Sequence, residues 1–499
     1  MQCFSPAISP FSLCVALLLV GWASPPAGAQ SPSRSAQDPE TPRAGAKPVK
    51  VYVLAGQSNM LEMGNVSGGN TRHTGFYQSA DATAEKGVAV SVYEGRYDPE
   101  AEYDQLKPVA HKTVIYDGMG RDPFPKVEGA ATYVARGFIE VKTTGVYAFS
   151  PGYSNSTINV TELEGREVYR REPGEDAVRV HRKMVGGKRY PFKTTFFTQA
   201  ANSLFWMGRT DIPGTLDTVV RQQHKFRYLL DENGKWVERD DVFFQDARLH
   251  GGWGWEEDDP NTLRLDESRL KTPARRLTVG KGVWVGVPFG FLLGDHHDEP
   301  VLIIRTAIGN RGLAWDFRPP SSGKLPGIRE DLKKWEGAEY RMMIDGVRKS
   351  LEHIADVMPG YQGQGYDLAG FVWFQGHKDG GNKDWVAEYE RNLVNLIQDV
   401  RADLQAPELP AMIATVGFEG EAMGENYLKI RAAQLAVGDT SKHPEFAGTV
   451  RTVDTRGYWR PKEQSPSGQG YHYNRNAETY MQIGEALGRG MIDLLRKDR

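Results

Sequence analysis

An α/β fold with a mainly parallel sheet, interrupted by an all-β insert, follows from three patterns in the sequence. The run Lys50-Val-Tyr-Val-Leu-Ala-Gly56 is apolar and β-branched, and it stops abruptly in a Gly/Ser/Asn turn. From Gly87 to Thr215 the chain alternates apolar and polar residues, as in Tyr190, Phe192, Thr194 and Phe196. Beyond residue 216, strand-like and helix-period stretches alternate, which is the signature of helices layered on a parallel sheet.

Each segment follows in order. Residues 1–29 read as a signal peptide, with an apolar core from Phe11 to Trp22 and a small-residue cleavage pattern at Ala27-Gly-Ala29, although no Lys or Arg precedes the core. That core is too short to cross a bilayer comfortably. A secreted or periplasmic location is expected. Residues 30–48 are rich in Ser, Pro, Arg and Ala without periodicity, the composition of a disordered linker.

Residues 49–86 and 216–499 form one discontinuous catalytic domain, and residues 87–215 an inserted β-sandwich. Val301-Leu-Ile-Ile304, Leu368 to Phe374, Ala411 to Thr415 and Thr449 to Val453 read as buried strands. Met343, Val347, Leu351 and Ile354 mark one amphipathic helix, and Trp385, Tyr389, Leu393, Leu396 and Val400 another.

Composition excludes several classes. With 39% hydrophobic and 25% charged residues the chain is an ordinary globular one, and its net charge of −3, without a polybasic run, gives no attraction to nucleic acid or anionic lipid. Both cysteines, Cys3 and Cys14, fall in the predicted leader. A processed chain therefore has no disulfide, no thiolate metal site and no cysteine nucleophile.

Ser58 follows the abrupt end of the first strand, where a hydroxyl sits at the rim of a sheet within reach of a base and of backbone donors. His472, in Gly470-Tyr-His-Tyr-Asn-Arg-Asn476, precedes a helical stripe of Met481, Ile483, Leu487, Met491 and Leu494 with Asn476 as its N-cap. The helix fixes that histidine in space. Gly56-Gln-Ser-Asn-Met60 is not Gly-x-Ser-x-Gly, which argues against an α/β-hydrolase elbow.

These pieces, with Trp373-Phe-Gln-Gly376 between them, resemble the SGNH-type hydrolases, in the branch of the sialate O-acetylesterases and the acetylxylan esterases of carbohydrate esterase family six. The resemblance implies an SGNH-like three-layer sandwich and a serine esterase that removes O-acetyl groups from carbohydrate, with an acetylated oligo- or polysaccharide as partner and no cofactor or metal. It implies an oxyanion hole made by the Ser58 N–H, the Gly309 N–H and the Gln375 side chain. The insert resembles the protective-antigen-type β-sandwich through Gly137 to Val141, Gly145 to Phe149, Gly187 to Phe192 and Leu204 to Trp206. Its loop Pro151 to Ser156 lacks the adjacent acids of calcium-dependent members.

The family's usual aspartate, three residues before the histidine, is replaced here by Gln469, which cannot ionise. Asp379 is ranked ahead of Asp454 as the substitute acid, and a serine–histidine dyad without an acid is the remaining option. Two other readings stay open: a weakly catalytic or non-catalytic carbohydrate-binding protein on an esterase-like fold, and a hydrolase for a longer acyl ester. Asp295-His-His-Asp-Glu299 has the composition of a metal site but the position of a solvated connecting turn.

Overall fold

The structure, a computed structural model, describes residues 47–67, 73–98, 101–115, 124–151, 158–172, 178–198, 204–247, 271–327 and 330–496. The predicted signal peptide and the linker up to residue 46 lie outside these, as do residues 152–156 of the loop examined for calcium ligands.

Seven strands build the central sheet: β1 (Val49–Gly56), β2 (Val242–Asp246), β3 (Arg275–Arg276), β4 (Val301–Arg305), β5 (Tyr366–Phe374), β6 (Ala411–Ala414) and β7 (Val450–Val453), in the spatial order β3-β2-β4-β1-β5-β6-β7. All neighbours run parallel except β3, which closes one edge antiparallel to β2. β1 is central and is buried at every position but Lys50. This accounts for its unbroken apolar run, because a parallel strand covered on both faces has no solvent side to mark with polar residues.

Helices cover both faces. Of α1 (Gly286–His296), α2 (Ala338–Glu352), α3 (Lys383–Asp403), α4 (Glu425–Val437) and α5 (Ala477–Arg496), α1 and α5 share one face. There Phe289 meets the Tyr52 ring edge-on at 5.5 Å, and Gly370 leaves the space that Met491 of α5 fills. On the other face Trp373 meets Phe317 edge-on at 5.1 Å, and Tyr389 of α3 donates to the Gln375 carbonyl at 3.0 Å. Gln434 of α4 joins that network through Tyr389, and Tyr340 of α2 bonds Asp403 at the end of α3. The result is a three-layer α/β/α arrangement. Asn382 caps α3 by accepting from the Asp384 and Trp385 N–H groups, and Asn476 caps α5 by accepting from the Thr479 N–H.

Between β1 and β2 the chain forms two antiparallel sheets with a core of their own. An eight-stranded sheet includes Ile158–Leu163, Arg166–Arg171, Arg189–Thr198 and Ala131–Val141, and a three-stranded sheet is centred on Gly145–Pro151. Phe76, Phe192 and Phe205 pack ring against ring between them. The strand His73–Tyr77 already pairs with Ala131–Val141, so this β-region takes up residues earlier than position 87, where the alternation in the sequence first becomes evident. Among the described residues no helix is long and apolar enough to cross a membrane.

Candidate active site

At the carboxyl end of β1 the backbone makes a turn that only glycine fits. Gly56 has φ +144°, and a Cβ there would clash with the Phe374 carbonyl of β5. The next residues form a single 3-10 turn, Ser58–Met60, closed by Met60 N–H to Gln57 O at 2.8 Å. Its first N–H groups, Ser58 among them, have no carbonyl behind them within the turn and are free to face a ligand. The Ile308 N–H donates to Gly56 O at 3.2 Å, which ties the loop carrying Gly309 to this same turn.

His472 reaches this point from the far end of the chain. Its Nε2 lies 2.9 Å from Ser58 Oγ. The loop that delivers it is strained: Tyr473, Asn474 and Arg475 all have φ between +48° and +56°. Left-handed non-glycine residues cost about 1 kcal/mol or more each, and they persist where the surroundings over-determine them. Tyr473 is fully buried with its hydroxyl 2.8 Å from Thr455 Oγ1, Asn474 donates to Arg460 O at 3.0 Å, and Arg475 Nε donates to Gln469 Oε1 at 3.0 Å.

A second clamp was not legible beforehand. Asn59 Nδ2 donates to Tyr471 O at 3.1 Å, while the Tyr480 hydroxyl shares its one hydrogen between Asn59 Oδ1 at 2.8 Å and His472 O at 3.1 Å. Nucleophile turn and histidine loop are thereby locked together through side chains next to the reacting pair. The available signal was a polar asparagine beside an apolar strand, a group that must find partners once buried. Tyr480→Phe removes the clamp's shared donor, and kcat is expected to fall about 10-fold with KM nearly unchanged, because a loosened base loses alignment more than binding; steady-state kinetics on an acetyl ester decide it.

Among the described residues no acid stands behind the histidine: His472 Nδ1 is buried and has no hydrogen-bond partner among them. Asp379 is fully buried, and its oxygens accept from the Leu313 N–H (2.9 Å), the Ala314 N–H (2.9 Å) and Gln375 Nε2 (2.7 Å). The assignment of Asp379 as the orienting acid is therefore corrected: it anchors the 313–314 backbone. Burial pushes its pKa up to about 6, against the pull of those same three donors. Asp454 is spent on Arg431, whose Nε lies 2.9 Å away, and on Thr415 Oγ1. Gln469 has its side chain bonded to Tyr471 OH and Arg475, while its backbone carbonyl accepts the His472 N–H at 3.0 Å.

Gln375 also differs from expectation. Its Nε2 donates to Gln57 Oε1 (3.0 Å), Arg311 O (2.8 Å) and Asp379 Oδ2 (2.7 Å), and its Oε1 accepts from Tyr389 OH. An amide nitrogen has two hydrogens, so nothing is left for an oxyanion. Gln375 braces the loops around the nucleophile. Removing its partner in Asp379→Ala orphans the Leu313 and Ala314 backbone N–H groups in a dry interior, while Gln57 and Arg311 still accept both amide hydrogens. A stability loss of about 3 kcal/mol or more is expected by chemical denaturation.

Electrostatics follow from burial. The His472 pKa is held down to about 4, first by desolvation and then by the Arg475 guanidinium and the His377 ring. At neutral pH the ring is uncharged. The tautomer whose Nε2 accepts the Ser58 proton carries its hydrogen on Nδ1, the unpartnered atom. His377 stacks on Tyr471 at 5.1 Å and on Tyr427 at 5.6 Å, and Tyr471 lies 4.4 Å from the His472 ring, so an aromatic wall flanks one side of the pair. No cluster of metal-ligating side chains occurs among the described residues, and His297 of the Asp295 to Glu299 segment bonds the Tyr52 hydroxyl at 2.7 Å.

The family model described as carbohydrate esterase, sialic acid-specific acetylesterase matches residues 234–493, just over half the chain. The match spans Gly309, Gln375 and His472 and leaves Ser58 upstream. Among solved structures, a protein from Arabidopsis thaliana is similar at 17% identity over 50% of this chain and 96% of its own (TM-score 0.32). A carbohydrate acetylesterase from Xanthomonas citri is similar at 12% identity over 72% of each chain (TM-score 0.33). A family 2 carbohydrate esterase with a carbohydrate-binding domain from Corynascus thermopiles (Myceliophthora fergusii) is similar at 15% identity over 74% and 95% (TM-score 0.27). No curated protein matches significantly in sequence.

Proposed function

Because the chain belongs to the carbohydrate esterase family described as sialic acid-specific acetylesterase, and is thus a carbohydrate O-acetylesterase, we propose that it works through a serine–histidine dyad on O-acetylated sugar. The observation that carries this reading is the 2.9 Å contact between Ser58 Oγ and His472 Nε2. His472 takes the Ser58 proton as Oγ attacks the acetyl carbonyl, and the Ser58 and Gly309 N–H groups receive the developing oxyanion. On collapse, the protonated histidine gives its proton to the departing sugar oxygen. Water activated by the same ring then hydrolyses the acetyl-serine and releases acetate.

Among the described residues no carboxylate partners His472 Nδ1 to balance the imidazolium, so the chemistry is slower than in a full triad. Where a triad loses its aspartate the penalty is about 10⁴-fold. The aromatic wall of Tyr471, Tyr427 and His377 offers ring faces to a pyranose beside the nucleophile. A secreted or periplasmic location is proposed as well, on the apolar core and small-residue motif of residues 1–29.

The test is acetate release from 9-O-acetylated sialoside and from acetylated xylan, wild type against Ser58→Ala. Release from either that depends on Ser58 supports the reading and names the sugar class. If neither is deacetylated while longer acyl esters are cleaved, the acetyl assignment is wrong.

A further inference from the structure

Beside the dyad stands a histidine whose nitrogens the proposed chemistry does not use. His377 follows Gly376 at the carboxyl end of β5, and the chain fixes its place on both sides. Gly376 has φ +149°, with Val416, Ile430 and Gln434 crowded where a Cβ would go, and the Lys378 N–H donates to Gln57 Oε1 at 3.4 Å. Aromatic rings then set the plane of the imidazole. Tyr427 and Tyr471 stack on it with centroids 5.6 and 5.1 Å away, and Phe418 meets it edge-on at 5.4 Å.

Stacking holds that plane, and hydrogen bonds can still reach the edge that carries the nitrogens. Among the described residues neither nitrogen of His377 has a hydrogen-bond partner, and neither is sealed from solvent as Nδ1 of His472 is. Burial first, and the Lys378 ammonium second, hold the His377 pKa below its ordinary value, so the ring is uncharged at neutral pH. An uncharged imidazole presents one N–H and one lone pair. A hydroxyl, which both accepts and donates, matches that edge. A carboxylate would meet one donor and one repelling lone pair, and an acyl chain would strip the edge of water without replacing its hydrogen bonds.

Two ring-to-ring steps separate this edge from the base, 5.1 Å from His377 to Tyr471 and 4.4 Å from Tyr471 to His472. One pyranose with its substituents spans that interval, so an acetyl group held at Ser58 brings another position of the same ring to His377. Building on the Ser58–His472 reading of the site, we propose that His377 is a specificity-determining residue whose nitrogen edge hydrogen-bonds a free hydroxyl of the sugar ring that carries the scissile acetyl group. A ring bearing an acetyl group and a free hydroxyl together is then the preferred substrate, and a fully acetylated ring a poor one.

The experiment measures acetate release from cyclohexyl acetate and from its 2-hydroxy and 3-hydroxy derivatives, which keep the ring and the ester and add one hydroxyl. In the wild type, kcat/KM should be about tenfold higher for at least one hydroxy ester than for cyclohexyl acetate, with most of the gain in KM, because the contact is made before and during reaction alike. His377→Phe keeps a ring for Tyr427 and Tyr471 to stack on but has no nitrogen, and the preference should fall to about twofold or less. His377→Gln restores a donor and an acceptor and should regain part of it. A histidine that only supports the fold would slow all these esters alike and leave the preference intact. The role of His377 is overturned if the wild type cleaves neither hydroxy ester faster than cyclohexyl acetate, or if His377→Phe keeps the preference. The first of these needs no variant, so a folding defect cannot hide it. Ser58→Ala on 4-nitrophenyl acetate reads the dyad separately. Turnover lost there, with no hydroxyl preference in the wild type, sinks the role of His377 and leaves the dyad standing; turnover kept there sinks both.

Discussion

Ser58→Ala should lower kcat on an acetyl ester by at least about 10²-fold, and the size of that drop is itself informative. In a complete triad the loss of serine costs about 10⁶-fold, while the loss of the aspartate alone already costs about 10⁴-fold, so a dyad has roughly 10² left to lose above the floor set by binding and the oxyanion donors. His472→Ala should fall to the same floor, and the double variant no further, because the two groups act as one unit. Ser58 is only 8% exposed and its hydroxyl has one described partner, so the alanine variant should unfold at the wild-type temperature. A turnover equal to wild type would remove Ser58 from the chemistry.

Gln469→Asp should act in the opposite direction. The residue sits on the same turn as His472 and its carbonyl already accepts the His472 N–H, so a carboxylate there can reach the unpartnered Nδ1 side of the ring. Part of the missing factor of about 10⁴ is then regained, and kcat should rise by ~10- to 10²-fold. The pH profile gives an independent sign. A general base works only unprotonated, and burial holds His472 down to about 4, so the acid limb of wild-type kcat/KM should fall near pH 4 and the rate stay level through pH 6 to 7. A carboxylate beside the ring favours the imidazolium and raises that pKa, moving the limb to higher pH. Unchanged kcat together with an unmoved limb would mean that Arg475, which bonds position 469, keeps the new acid away from the ring.

The sequence made the layering and the reacting pair readable for a definite reason. β1 is apolar along its whole length because both its faces are covered, and the stripe from Met481 to Leu494 is a helix face pressed on the sheet. Local pattern carries such facts. What it could not carry is which polar group ends beside which. Asp379 and Asp454 are both acids near strand ends, and nothing in their spacing says that one is consumed by the 313–314 backbone and the other by Arg431. Gln375 likewise looks like a free amide until Gln57, Arg311 and Asp379 converge on it from three separate segments. The alternation in the β-region announced strands well, yet its first described strand, His73–Tyr77, precedes any visible alternation because its neighbour Ala131–Val141 supplies the pairing.

The nucleophile lies in the turn just past the first strand of the sheet and its base 414 positions later, just ahead of the closing helix. Every other strand of that sheet, and the whole of the β-region, must be made and stowed before the two can meet. A nascent or partly refolded chain is therefore chemically silent until its final turn docks. Recovery of ester cleavage after dilution from denaturant thus reports the slowest, most non-local closure in the molecule.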